Sequence, residues 1–283
     1  MADAVSEQQP LTKREERALV IARRQAETKV PRHRFGIAYL LLAALLGAGV
    51  GLFVVFLSDN GKSGGQQWSA WKPTQNGVQR FDEIAKTVAH EYALPNGRQL
   101  VGVLSTPPVV QGQSTPVPLR AIAVRTGLAG ETSNDASFYG AGDAWAYVLC
   151  GFGTSCAISG GNPSVERYDL LRREALELAL YTFKYNHSIQ SVLAYMPPAK
   201  AVNASGQATP SLIFLRRADV KPALDEPLKA TLLPPRANIK PGQMTAGELS
   251  RVRRLTDSRV FNFNFQQLAD GTAIVVLDPI KAA

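Results

Sequence analysis

Twenty-two consecutive residues, Gly36 to Leu57 (GIAYLLLAALLGAGVGLFVVFL), carry no charge and almost no polar atom. As a helix they would extend roughly 33 Å, enough to cross a bilayer core of about 30 Å. The run predicts one membrane crossing. It divides the chain into an amino-terminal arm, residues 1–35, a polar neck, residues 58–77, and a large domain, residues 78–283.

Charge on the two flanks sets the expected orientation. The arm holds eight Lys or Arg against five Asp or Glu, and Lys29, Arg32, His33 and Arg34 crowd its membrane end. The far flank, Ser58 to Lys62, has one cation and one anion. Positive charge stays on the cytoplasmic side, so the amino terminus is expected inside and the carboxyl-terminal domain outside, at the cell membrane. A cleaved signal peptide would have a shorter apolar region followed by a small-x-small site. Here the run is long and no Ala-x-Ala follows it, which points to an uncleaved signal anchor. Within the run Ala43, Gly47 and Gly51 recur every four residues on one helix face. Small residues at that spacing let two helices approach closely, although Gly and Ala are common in membrane helices in any case.

The chain carries 31 basic and 23 acidic residues. No basic run is interleaved with aromatics, so the composition gives no support for a nucleic-acid partner. The excess of positive charge suits residence beside anionic lipid or cell-wall polymer. The two cysteines, Cys150 and Cys156, both fall on the predicted outer side. An oxidising compartment and the glycines between them favour a structural disulfide, and no further Cys or His pair accompanies them to bind zinc.

Periodicity supplies the elements. Thr12 to Glu15 is a capping box opening a charged helix in the arm. The neck has a linker's composition, except for Trp68 and Trp71, which suit either the membrane boundary or the surface of the domain. Phe81, Ile84, Ala85, Val88 and Tyr92 follow helical spacing within residues 78–94. Strand-like runs cover 99–104, 117–124 and 145–150, while 127–142 reads as a long surface loop. Asn162 is expected to cap a helix with Pro163 in its first turn and a body from Val165 to Tyr185, apolar over much of its circumference. Runs 189–195 and 211–215 read as strands, and the proline-rich residues 219–243 as an extended connector. Thr245 to Glu248 is a second capping box. Asp270-Gly271 between runs 259–266 and 272–277 is a hairpin signal, with Phe261, Phe263 and Phe265 alternating with amides. The expected fold class is α+β: a single amino-terminal transmembrane helix followed by an extracytoplasmic mixed α/β globular domain.

Catalytic and cofactor motifs do not assemble. His90-Glu91 lacks the second histidine of a zinc-protease helix, because position 94 is Leu94. No Gly-x-Ser-x-Gly is present. Gly160, Gly161 and Asn162 lead into the 163–185 helix and, with Arg167, could hold an anion, yet they match neither the dinucleotide fingerprint nor the P-loop. Glu131, Asp135 and Asp143 lack the alternation of a calcium loop. No metal or cofactor is expected. The reading that remains is a single-pass membrane protein whose outer domain binds another envelope protein, or assembles with copies of itself through the membrane helix. An extracytoplasmic ligand sensor and, behind it, an envelope hydrolase or transferase are the alternatives.

Overall fold

The computed structural model describes residues 67–110, 116–126, 135–150, 163–198, 210–234 and 238–280. All lie in the second of two compact units, Gln66–Ala283. The arm, the apolar run Gly36–Leu57 with Ala43, Gly47 and Gly51, and the loop residues Cys156, Gly160, Gly161 and Asn162 lie outside the described residues.

Helix α1 spans Val78–His90. Strands β1 (Gly102–Thr106), β2 (Val109–Val110), β3 (Val117–Arg125), β4 (Ala136–Gly140) and β5 (Ala144–Cys150) precede the long helix α2 (Val165–Tyr185). After it come β6 (Ser191–Met196), β7 (Ser211–Arg216), the short helices α3 (Lys221–Asp225) and α4 (Leu228–Thr231), then α5 (Ala246–Thr256), β8 (Val260–Gln267) and β9 (Ala273–Pro279).

The nine strands among the described residues join one sheet in the order β1-β5-β6-β7-β8-β9-β3-β2, with β4 also on β3. Pairs β5/β6 and β3/β9 are parallel and the others antiparallel. A parallel pair needs a crossover, and α2 supplies it between β5 and β6. Strands β1 and β2 stand at opposite ends of this order, yet only Pro107 and Pro108 separate them in the chain. That short link curls the sheet round into a nearly closed barrel.

Strand alternation then makes two cores from one sheet. On β6, Val192, Ala194 and Met196 join the core beneath α2, while Leu193 and Tyr195 join the core on the opposite face. Strand β7 divides in the same way, Ile213 and Leu215 from Leu212 and Phe214. Helix α1 closes the first core with Phe81, whose ring stacks on Trp145 at 3.8 Å between centroids. The hairpin β8–β9 is the one the Asp-Gly signal predicts, with Gly271 at φ +80° in the turn. That left-handed geometry is nearly free for glycine and costly for a residue with a Cβ.

The structure corrects the expected fold class. Where the sequence led to an α+β globular domain, the described residues form a mixed sheet curled into a nearly closed barrel with helices packed on it, and the expected transmembrane run Gly36–Leu57 lies outside them. Among the described residues no helix is long and apolar enough to cross a membrane. Four local expectations are corrected too. Helix α2 is capped by Ser164, whose Oγ accepts the Arg167 N–H, and not by Asn162. The supposed loop 127–142 contains β4, because Ala136–Gly140 finds backbone partners on β3. The proline-rich stretch folds into short helical turns, since Pro222 falls at a helix start where its missing N–H costs nothing. The box at Thr245 is only half made: Thr245 Oγ1 accepts the Glu248 N–H, but the Glu248 side chain is engaged elsewhere. Trp68 and Trp71, left open by the sequence, pack edge-on against Tyr181 of α2. The expected Cys150–Cys156 disulfide lies outside what is described, since Cys156 and the Cys150 side chain are not among the described parts.

Candidate functional site

Helix α2 carries apolar residues on every face, so the sheet on one side and α1 and α5 on the other bury its whole middle. Its charged residues are buried with it. Arg173 and Glu174 are 0% exposed and Glu177 1%. Burying a charge is expensive unless it is paired, and Arg173 is paired at every branch of its guanidinium. Nε donates to Glu248 Oε1 of α5 at 2.8 Å. Nη1 donates to Glu177 Oε2 at 3.0 Å and to the Tyr92 hydroxyl. Nη2 donates to the Leu233 carbonyl at 2.7 Å. Glu248 Oε1 also accepts the Leu233 N–H at 2.9 Å, so α2, α5 and the segment after α4 meet on one guanidinium.

Two further acids enter this centre with different surroundings. Both oxygens of Glu174 are buried without a hydrogen-bond partner. Burial, with Glu177 beside it, pushes its carboxyl well above the usual range against the pull of Arg173. Glu91 caps the carboxyl end of α1 and is half-buried. Burial first, then the Glu177 charge, raises it to about 7, with Arg173 opposing. A negative charge is also disfavoured at a helix carboxyl terminus, which acts in the same direction. The Tyr92 hydroxyl donates to Glu177 Oε2 at 2.5 Å, and burial raises its phenol above its ordinary value.

A second polar centre sits at the carboxyl end of α2. A groove of about 370 Å³ is lined by Phe183, Lys184, His187, Arg217, Lys221 and Leu224, among others. Arg217 gives its donors to the carbonyls of Phe183, Asn186 and Ile189. Lys184 donates to the Leu224 carbonyl, and Lys221 pairs with Asp225. The cations here satisfy the unpaired carbonyls at a helix end and complement its dipole.

The residues singled out from the sequence fall elsewhere. Arg167 lies in the first turn of α2, its backbone N–H on Ser164 and its Nη2 near the Leu100 carbonyl at 3.4 Å. His90 and His187 are exposed. Among the described residues no three His, Cys, Asp or Glu side chains gather as a metal-binding set. The Arg173 centre escaped sequence reading because Arg173–Glu177 is an i, i+4 pair, the usual pattern of a solvated helix face. The signal that could have found it is the apolar residues Leu170, Leu171, Leu176, Leu178 and Leu180, which leave no face of the helix for solvent. Glu174 and Glu177 lie side by side on α2 at 0% and 1% exposure, so both carboxyls face protein and not solvent.

The chain matches no known protein family, no curated protein and no solved structure.

Proposed function

We propose that this is a membrane-anchored protein whose outer head is an interaction module, docking another protein of the cell envelope along the open seam of its barrel. The apolar run Gly36–Leu57 and its asymmetric flanking charge support the anchor and the orientation. The observation that carries the docking is the pair of apolar side chains on the two edge strands: Leu104 of β1 is 55% exposed and Phe138 of β4 is 68% exposed. Among the described residues both strands pair on one side, β1 with β5 and β4 with β3. A free strand edge offers unpaired N–H and C=O groups, and proteins usually blunt it with charge or cover it. An edge left bare with an apolar side chain at its centre suits addition of a partner's strand.

Photo-crosslinking tests this in the full-length protein in its native membrane. A benzoylphenylalanine placed at 104 or 138 should give one discrete adduct, and the same probe at the exposed Lys229 should not. Absence of adducts from both edge positions, or an equal yield from Lys229, would overturn the reading.

A further inference from the structure

The groove at the carboxyl end of α2 gathers more positive charge than its own acid offsets. Arg217 gives its donors to the backbone carbonyls of Phe183, Asn186 and Ile189, at distances between 2.6 and 3.1 Å. These neutral oxygens satisfy the guanidinium without cancelling its charge. Lys184 is held in a similar way. One of its three N–H donors goes to the Leu224 carbonyl at 3.1 Å, and the ammonium lies 5.4 Å from the centroid of the Trp68 ring. Lys221 does face a carboxylate, Asp225, at 2.6 Å, but both side chains are exposed. Ion pairs in solvent are weak and screened, so Lys221 can turn to a better anion.

The charge count selects the ligand. Among the described residues lining the groove, three cations against the carboxylate of Asp225 leave two positive charges, His187 aside. The dipole at the end of α2 takes back about half of one. A monocarboxylate supplies too little charge to match, whereas a phosphate monoester carries about 1.5 to 2 negative charges at neutral pH and three acceptor oxygens. The walls suit an organic group beside it: Ala218, Leu224 and the carbon stems of the lysines enclose about 370 Å³, a volume typical of small-ligand sites.

We propose that this groove binds a phosphate monoester, with Lys184 and Lys221 on the phosphate and the organic part against Ala218 and Leu224. Arg217 is a positioning residue. By covering the carbonyls of Phe183 and Asn186 it keeps the negative end of α2 from repelling the anion. Asp225 competes with the phosphate for Lys221. None of the residues lining the groove lies on β1 or β4, so this site and the proposed strand docking stand or fall separately.

Isothermal titration of the full-length protein in dodecyl maltoside with phenyl phosphate tests the site. One saturable site with a Kd below about 1 mM is expected, and benzoate should bind at least about fivefold more weakly. Lys221→Glu and Asp225→Asn change exposed side chains, so neither endangers the fold. The first should weaken phenyl phosphate at least about tenfold, and the second should tighten it about threefold. Dioctanoyl phosphatidic acid, titrated in the same way, separates two sources of the same chemistry. Tighter binding than phenyl phosphate assigns a lipid headgroup, and equal or weaker binding assigns a free phosphate ester; each outcome supports the site. No saturable binding of either phosphate below about 10 mM would overturn it, as would benzoate binding equally well. An unchanged affinity in Lys221→Glu, or an Asp225→Asn that fails to tighten, would do the same.

Discussion

Tyr92 and Arg173, eighty-one residues apart, both donate to the same oxygen of Glu177. Through that atom the end of α1 is fastened to the middle of α2, while the other branches of Arg173 hold α5 and the Leu233 carbonyl. Three helices are therefore referenced to one buried cation.

Removing that cation should be severe. Arg173→Met leaves Glu177 and Glu248 buried without their partner, and breaking a buried pair in this way costs about 3–5 kcal/mol. Tyr92→Phe removes only the hydroxyl and should cost about 1–3 kcal/mol. Urea denaturation of the two variants measures the difference. Equal costs would mean that Arg173 is not the organising group.

Glu174 should behave in the opposite way. Its oxygens have no partner to lose, so Glu174→Met exchanges an unsatisfied carboxyl for an apolar side chain of similar length. We expect a gain of about 1 kcal/mol or more in unfolding free energy. A loss of that size would show that Glu174 has a partner in solution.

Stability should fall as pH rises from mildly acid to neutral. Below its ordinary value of 4.5 Glu91 is protonated in both folded and unfolded chains and imposes nothing. Between there and about 7 the unfolded chain has released a proton that the fold retains, so unfolding becomes easier with each step in pH. Above about 7 the Glu91 contribution levels off, and Glu174, raised well above its ordinary range, extends the decline. Thermal melting across this range checks the direction. A melting temperature that rises from about pH 5 to about pH 7.5 would contradict it.

Phe138 should matter for association and not for folding. Its side chain is largely in solvent on an edge strand, so Phe138→Ser should leave unfolding unchanged within about 0.5 kcal/mol. The same substitution should remove the partner adduct captured by a benzoylphenylalanine at Leu104. A retained adduct of undiminished yield would separate the two edges functionally.

Local signals account for the parts that were legible in advance. The β8–β9 hairpin follows from Asp270-Gly271 between alternating runs, and the body of α2 from its long apolar pattern. Thr245 was identifiable as an N-cap because its partner lies three residues away. The curl of the sheet was not legible. It depends on Leu119 lying beside Ala273 and Ala144 beside Ser191, parallel pairings for which no turn residue gives a clue. Strand β4 was hidden for a related reason: exposed on most of its residues, it lacks the apolar alternation of a half-buried strand. The acid centre was missed because charge on a helix normally reports solvent. The spacing from Thr245 assigns Glu248 to its own capping box, and the fold gives its carboxylate to Arg173 instead.

The position of β9 governs the order in which the head can be completed. It is the last of the described strands, yet it lies between β8 and β3, inside the sheet and not at its rim. During synthesis every earlier strand can exist while the gap between β3 and β8 is still empty. Until Ala273–Pro279 has emerged, the nascent head carries two temporary strand edges that the finished protein does not have. A chaperone that shields growing sheets would meet this domain with its central slot open, and a chain interrupted before residue 273 would remain in that state.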